Sequence, residues 1–236
     1  MKGLARLLKS FFRVIVGIFN FILGYAVRFL AVIAVHLLYR PKVLYRNKKN
    51  QKNKLKRGTV VIANHIYFID GAILGTVFKH DRIYTLAAKD LYRKKILVWL
   101  LNRTRCIPLD RGAIETTWFT RSVDLLKKGY SLAMFPEGVS SYNGKIRSFK
   151  PGFIRVALEA DADILMVCID GLYKPFKQRQ WVLIDEAPIH LEIPEGGITS
   201  EYIHAKNDEL HARMLEMQKE LRRIRYGEQT ETENEN

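Results

Sequence analysis

The chain carries no acidic side chain before Asp70, and most of residues 4–39 is apolar. Residues 1–57 hold 14 basic side chains, whereas residues 58–236 hold 25 basic and 24 acidic ones. Nearly all of the net charge of +15 therefore belongs to an N-terminal arm, and the remainder is charge-balanced. A basic arm calls for an anionic partner, either nucleic acid or a membrane surface. A basic run alone fits both. The apolar segment in front of it fits only the membrane, so nucleic acid is not expected as a partner.

Residues 4–39 are long enough to cross a bilayer, which takes about 20 apolar residues, but Arg13, Asn20, Arg28 and His36 interrupt them. At 100° per residue, Lys2, Arg6, Lys9, Arg13, Gly17, Asn20, Gly24 and Arg28 share one third of the circumference. Leu4, Leu8, Phe11, Ile15, Phe19, Ile22, Phe29 and Ile33 lie opposite. This pattern predicts a helix lying in the membrane interface, with its basic groups toward the headgroups. A spanning helix and a helix packed on its own domain are the alternatives. A secretory signal peptide fits poorly, because no small-residue cleavage site follows the apolar run. Residues 40–57 carry nine basic side chains in eighteen. They read as a polybasic stretch on anionic lipid, on the cytoplasmic face by the positive-inside rule.

From Gly58 short apolar runs alternate with amphipathic stretches. Strands are predicted at 59–63, 83–87, 105–109, 131–135, 164–170 and 181–185, and helices at 71–78, 91–101, 114–128, 152–159 and 200–225. Apolar runs without alternation suit strands buried on both faces, and strand–helix alternation suits a mainly parallel sheet. The expected architecture is α/β, a mainly parallel sheet flanked by helices, with an N-terminal amphipathic helical arm. The expected division is a membrane arm at 1–57, a catalytic domain at 58–226 and a polar tail at 227–236. Cys106 and Cys168 are too few for a disulfide framework or a four-cysteine zinc site. They hint at a reducing compartment.

Four segments carry groups suited to chemistry. Asn64-His65 closes a buried strand and Asp70 follows five residues later, at the sheet edge where open α/β folds bind ligands. Histidine suits a general base near neutral pH, and a carboxylate on its far nitrogen fixes its tautomer. A structural histidine with a helix-capping aspartate is the alternative. Phe135-Pro136-Glu137-Gly138 follows another buried strand and places Glu137 at the same edge. Arg105–Arg111 ends in a charged pair, in which Arg111 either binds phosphate or simply pairs with Asp110. Phe149-Lys150-Pro151-Gly152 puts a lysine before a helix start, a setting suited to an anion.

In this order and spacing the four blocks resemble the glycerolipid acyltransferases typified by 1-acylglycerol-3-phosphate acyltransferases. The family's Asn-His-x4-Asp matches Asn64, His65 and Asp70. Its block ending in Asp-Arg matches Ile107–Arg111, Phe-Pro-Glu-Gly matches 135–138, and Phe-Lys-x-Gly matches 149–152. The stretch Ala88-Lys89-x-Leu91 also looks like the family, and the resemblance covers about residues 58–172.

The resemblance implies transfer of an acyl group from acyl-CoA or acyl carrier protein to a lysophospholipid hydroxyl. The first expectation for the product is phosphatidic acid, made from 1-acylglycerol-3-phosphate. His65 would take the hydroxyl proton and Asp70 would orient His65, with no enzyme nucleophile. Arg111 and Lys150 would hold the acceptor phosphate, and Glu137 a glycerol hydroxyl or a basic group. Asn64, Phe135, Pro136 and Gly138 would complete the substrate-binding set. Neither a metal nor a cofactor is implied. The partners implied are membrane phospholipid, the lysolipid acceptor and the acyl donor.

The sequence departs from the family at two places. The third block continues Val139-Ser140-Ser141 where the family has Thr-Arg-Ser, and Ile164–Asp170 lacks the family's proline. The arginine counted toward the acceptor phosphate is thus absent at position 140, which leaves the acceptor open. Another lysolipid acceptor, or a non-catalytic lipid-binding protein, remains as the alternative.

Overall fold

The computed structural model describes residues 2–47, 55, 58–93, 95–109 and 117–227. In chain order the elements are α1 (Lys2–Tyr39), β1 (Lys42–Tyr45), β2 (Val60–Ala63), α2 (Asp70–Val77) and β3 (Ile83–Ala88). A 3-10 turn (Lys89–Arg93), α3 (Lys95–Arg103), β4 (Cys106–Leu109), α4 (Thr117–Lys127) and β5 (Ser131–Met134) follow. The chain continues through α5 (Gly152–Ala160), β6 (Ile164–Asp170), β7 (Trp181–Ile184) and α6 (Ser200–Tyr226).

Among the described residues the strands form one sheet in the order β1-β7-β6-β2-β5-β3-β4. All neighbouring pairs are parallel except β6 and β7. The fold is the expected mainly parallel α/β architecture. Every residue of β2, β5 and β6 is buried, as both-face coverage demands. Alternation along these strands feeds two cores. Val60, Ile62, Leu132, Met134, Ile164 and Met166 point toward α4, α5 and α6. Val61, Ala63, Ala133, Leu165, Val167 and Ile169 point toward α2 and the end of α1. In α6, Leu210, Met214, Met217 and Leu221 are buried on the sheet, while Ile224, on the same sequence stripe, is exposed.

The arm departs from expectation in two ways. First, the sheet begins at Lys42, inside the segment assigned to the arm. β1 pairs with β7 in parallel register from Lys42↔Trp181 to Tyr45↔Ile184. Three of the basic residues at 40–57 serve the fold rather than lipid. Arg40 donates to Phe176 O, Lys42 stands 4.2 Å above the Trp181 ring, and Arg46 binds Asp185 and Glu220. Lys48, Lys49, Lys52, Lys54, Lys56 and Arg57 lie outside the described residues, as does nearly all of the expected polar tail.

Second, the polar stripe of α1 meets the protein from Asn20 onward. Arg28 Nη1 donates to Arg103 O at 2.8 Å, and Arg103 Nη2 donates to Asn20 Oδ1 at 3.1 Å. Gly24 is buried beside Arg103 O. The Arg28 donation satisfies one carbonyl at the end of α3, whose last backbone acceptors have no partner within the helix. Farther along the same stripe Val35 and Tyr39 are buried in the core beneath α2. Leu38 O and Tyr39 O accept from the N–H groups of Phe176 and Gln180. Residues 9–22 are exposed on every side of the helix. The apolar side chains Phe11, Phe12, Phe19, Phe21 and Ile22 are each about two-thirds exposed. At 1.5 Å per residue the helix is about 57 Å long, so its free half extends well beyond the domain.

Truncation should divide the helix at this point. Removing residues 1–18 should leave the melting temperature within about 2 °C of the full chain, within the range of a surface change. Removing residues 1–39 strips Val35 and Tyr39 from the core, a loss of about 3 kcal/mol or more. For a domain of this size that lowers the melting temperature by roughly 6–12 °C. Circular dichroism melts of the two truncated chains test this.

Candidate active site

Three neighbouring strands, β6, β2 and β5, end at one edge, and the four-block residues of β2 and β5 gather there. Parallel strands leave their last backbone groups pointing into that edge, so buried side chains must hold the loops. Asn64 does this between β2 and β6. Its Nδ2 donates to Ile169 O at 2.9 Å and its Oδ1 accepts from Ile169 N at 2.7 Å. At 1% exposure, with both ends engaged, Asn64 fixes the strand ends and does not face a substrate, contrary to its expected place in the binding set.

His65 follows on the loop from β2 to α2. Its Nδ1 lies 2.8 Å from Asp70 Oδ2, and its side chain keeps 13% exposure. Asp70 is fully buried at the start of α2. The same Oδ2 accepts from Ile66 N at 2.7 Å and Tyr67 N at 2.9 Å. Oδ1 accepts from the Tyr173 hydroxyl. One carboxylate ties the turn before the helix and grips the imidazole, and it caps no N–H of α2 itself, so the helix-capping alternative does not hold. Burial pushes its carboxyl up from the ordinary carboxylate range, against the bonds from His65, Tyr67 and Ile66, which favour the charged form. The Phe135 ring stacks on the imidazole, centroids 4.3 Å apart and planes 21° apart. With Nδ1 held by Asp70, Nε2 is the nitrogen left to meet a reacting group.

Glu137 is 3% exposed. Its Oε1 accepts from His65 N at 2.6 Å and its Oε2 from Arg147 N at 2.9 Å. Both oxygens hold backbone, so Glu137 positions the His65 loop where a contact to a glycerol hydroxyl or basic side chain was expected. Burial raises its carboxyl as well, opposed by these two bonds. Ser141 N donates to His65 O at 2.8 Å and Tyr142 N to Ile66 O at 3.0 Å. The loops after β2 and β5 are thus laced together on both sides of His65.

Pro136 O accepts from Lys150 N at 2.9 Å. Gly138 has φ +73°, and a Cβ there would stand 3.3 Å from Lys150 Nζ. Both the backbone sign and the space favour glycine. Lys150 is exposed and lies along Gly138, within the motif loops. Arg111 and Asp110 lie outside the described residues.

Sequence reasoning missed two partners. Tyr173, on the loop after β6, reaches Asp70 from 103 positions away, and no local spacing marks it. Ser140 Oγ lies 3.0 Å from His65 Nε2. That position was noted only for the arginine it lacks. Among the described residues no group of three His, Cys, Asp or Glu side chains is close enough to hold a metal ion.

Comparison with known proteins bears on this arrangement. The chain is 31% identical over 132 residues to a probable 1-acyl-sn-glycerol-3-phosphate acyltransferase of Mycoplasma genitalium, covering 52% of this chain and 47% of that protein. It thus spans about half the length of that relative. It is 24% identical over 190 residues to the 1-acyl-sn-glycerol-3-phosphate acyltransferase of Bacillus subtilis, covering 79% of this chain and 94% of that one. In three dimensions it is similar to the 1-acyl-sn-glycerophosphate acyltransferase PlsC of Thermotoga maritima. The TM-score is 0.61 at 20% identity, over 83% of this chain and 79% of that one. This likeness shows a shared fold. The Acyltransferase family matches residues 42–170, from the first strand of the sheet to the last residue of β6, and the chain belongs to that family.

Proposed function

We propose that the protein is an acyltransferase that moves a fatty acyl group from an acyl thioester, on coenzyme A or acyl carrier protein, to a lysophospholipid hydroxyl. The observation that carries this reading is the His65–Asp70 pair at the sheet edge, with Nδ1 held by a buried carboxylate and Nε2 facing the motif loops. Such a pair draws a proton from a hydroxyl as it attacks a carbonyl, and the carboxylate stabilises the imidazolium that forms. The names of the relatives in Mycoplasma genitalium and Bacillus subtilis support 1-acylglycerol-3-phosphate as the acceptor and phosphatidic acid as the product. Lys150 is the described cation suited to the acceptor phosphate, with Arg111 as its partner. The chemistry asks for no metal or cofactor, because the thioester already carries an activated acyl group.

Both the lipid substrate and its product reside in a bilayer. The free half of α1 supplies the anchor, since its exposed phenylalanines and isoleucines have no protein to cover them. We place the protein on the cytoplasmic face of the cell membrane, with the free half of α1 in the interface. In flotation assays, vesicles containing phosphatidylglycerol should carry the full chain and leave behind a chain lacking residues 1–18. Equal flotation of both chains would remove residues 1–18 from this role.

His65→Ala should lower acyl transfer by roughly 10²–10⁴-fold, the usual worth of a positioned base, with the fold intact by circular dichroism. The decisive assay supplies palmitoyl-CoA or palmitoyl-acyl carrier protein with a panel of lysolipid acceptors. Activity within a few-fold of wild type would sink the base assignment.

Asp70→Asn separates catalysis from stability. It should cost about 10⁴-fold in turnover, the scale seen when a triad aspartate becomes an amide. All of its partners but one donate to the carboxylate oxygen that the amide oxygen replaces, and the remaining partner is a rotatable hydroxyl. Because burial raises the Asp70 carboxyl, ionising it opposes folding. That cost is absent below the unfolded carboxyl's pKa of about 3.9 and grows as pH rises to the raised native value. The Asn variant should therefore melt at or above wild type at pH 7, with an advantage that disappears toward pH 4. A variant less stable at pH 7 than at pH 4, relative to wild type, would reverse the sign.

A further inference from the structure

The sheet edge that carries His65 and Asp70 is rimmed by large apolar side chains that stand in solvent. Phe68 on the loop after β2, Tyr142 on the loop after β5, and Leu172 and Phe176 on the loop after β6 are each more than half exposed. Tyr67 joins the three loops. Its ring centroid lies 4.7 Å from that of Phe68, 5.6 Å from Tyr142 and 5.4 Å from Tyr173. Tyr173 in turn binds Asp70 and stands 5.8 Å from Tyr39, the last residue of α1. The rim therefore surrounds the His65–Asp70 pair and runs without a break into the helix that anchors the chain.

The rim is held in place by the backbone. Residues 171–180 join β6 to β7 and are tied to the end of α1. Phe176 N donates to Leu38 O at 2.7 Å, Gln180 N to Tyr39 O at 2.9 Å, and Arg40 Nη2 to Phe176 O at 2.9 Å. At the base of the loop the buried Gln180 amide covers Gly171, where a Cβ would stand 1.7 Å from Gln180 Oε1. Tyr142 and Phe176 have φ of +56° and +62°, the left-handed region that bulky residues rarely adopt. Such conformations persist only where the surroundings enforce them. The bonds that fix the loop thus hold the Phe176 ring outward.

The charge of the rim is one-sided. Residues 138–150 and 171–180 include no acidic side chain, and Lys145, Arg147, Lys150, Lys174, Lys177 and Arg179 are all exposed. Asp70, which closes the loop after β2, is fully buried. Cations beside exposed Phe and Leu side chains match an anionic bilayer, with the apolar groups at the boundary between headgroups and acyl chains and the cations at the phosphates. The cations alone would also suit an acidic carrier protein. The fixed outward display of Leu172 and Phe176, continuous with the last turn of α1, favours lipid.

We propose that this rim is a membrane-docking surface. Phe68, Tyr142, Leu172 and Phe176 enter the headgroup boundary of an anionic bilayer, and the loop cations meet its phosphates. His65 then opens onto the lipid surface, so a lipid acceptor reaches it without crossing bulk water. α1 retains the protein at the membrane, and the rim orients the site toward it. This deepens the membrane placement proposed above and rests on it.

The test follows one label on the full chain. Cys168 is buried, so in a Cys106→Ser background a thiol introduced by Phe176→Cys takes an environment-sensitive NBD fluorophore. On vesicles of phosphatidylglycerol and phosphatidylcholine its emission should shift to the blue and be quenched by spin-labelled lipid. The same label introduced by Lys128→Cys, exposed before β5 at the opposite edge of the sheet, should keep its aqueous emission. Leu172→Gln with Phe176→Asn should weaken vesicle partitioning of the unlabelled chain by about tenfold or more, from the apolar area lost. Asn tolerates the left-handed backbone at 176. Replacing Lys174, Lys177 and Arg179 by Gln should weaken it by about 10²-fold on these vesicles, and leave partitioning to phosphatidylcholine alone unchanged. Circular dichroism should show both variants folded as wild type.

If the label at 176 keeps its aqueous emission while the chain floats with vesicles, the inference falls and anchoring by α1 stands. It falls in the same way if both unlabelled variants partition as wild type does. If the label responds to acyl carrier protein and not to vesicles, the rim is a protein-docking surface and the inference is overturned. If the full chain does not float at all, the membrane placement and this surface fall together.

Discussion

A fully buried carboxylate at the first residue of α2 organises the edge of the sheet. Asp70 collects two backbone N–H groups, an imidazole and a phenol. Burying an ionised carboxylate costs several kcal/mol unless donors surround it, and here the donors are also the parts that must be positioned. The turn 65–70 takes its shape because its own amides point at Oδ2. His65 takes its orientation from the same atom. Tyr173 links the loop after β6 to this turn, and its ring stacks near that of Tyr67. Satisfying one charge thus draws the loops after β2 and β6 into a single arrangement. Glu137 repeats the device from β5, spending both oxygens on backbone.

Behind this edge a second set of buried acids fastens the sheet to α6. Asp185 binds Arg46 and Arg213, while Asp170 binds Arg222 and Arg225. Arg46 follows β1, so the same network ties the outermost strand to the last helix. Gln218 and Arg222 both donate to Gly144 O, which carries the restraint back to the loop that bears Ser140. The site therefore sits on loops braced from below by ion pairs and from within by carboxylate–amide bonds. This suits chemistry whose groups must hold their places within a few tenths of an ångström.

The α/β class, six of the strands and the order of the helices were readable from apolar runs and their alternation, because burial on both faces leaves a strong mark on composition. The His65–Asp70 contact was readable because it is local. β1 was not, because four residues among many lysines and arginines look like a charged linker. Only the partners of Arg46 and Lys42, far along the chain, show them to be structural. The stripe on α1 was read correctly as a stripe, but from Asn20 onward it meets α3 and the core instead of headgroups. Periodicity reports that one side of a helix differs from the other, but the identity of the medium on each side depends on what α3 and the core bring to it. Arg28 finds a backbone carbonyl there, and Val35 finds the core.

The site residues show a related distinction between motif and contact. Asn64 and Glu137 stand in the motif blocks at the expected spacing, and both turn inward to hold backbone. Their spacing records how three strand ends are joined, and it would be required whatever substrate entered. The groups that hold no backbone lie at Nε2 of His65, at Ser140 and along Lys150, where one side chain can change without disturbing the bonds beneath. Position 140 illustrates this. A serine there reaches His65 through a turn whose backbone bonds, from Glu137 and Ser141, do not depend on the side chain it carries. The framework fixes where the residue at 140 sits relative to His65 Nε2.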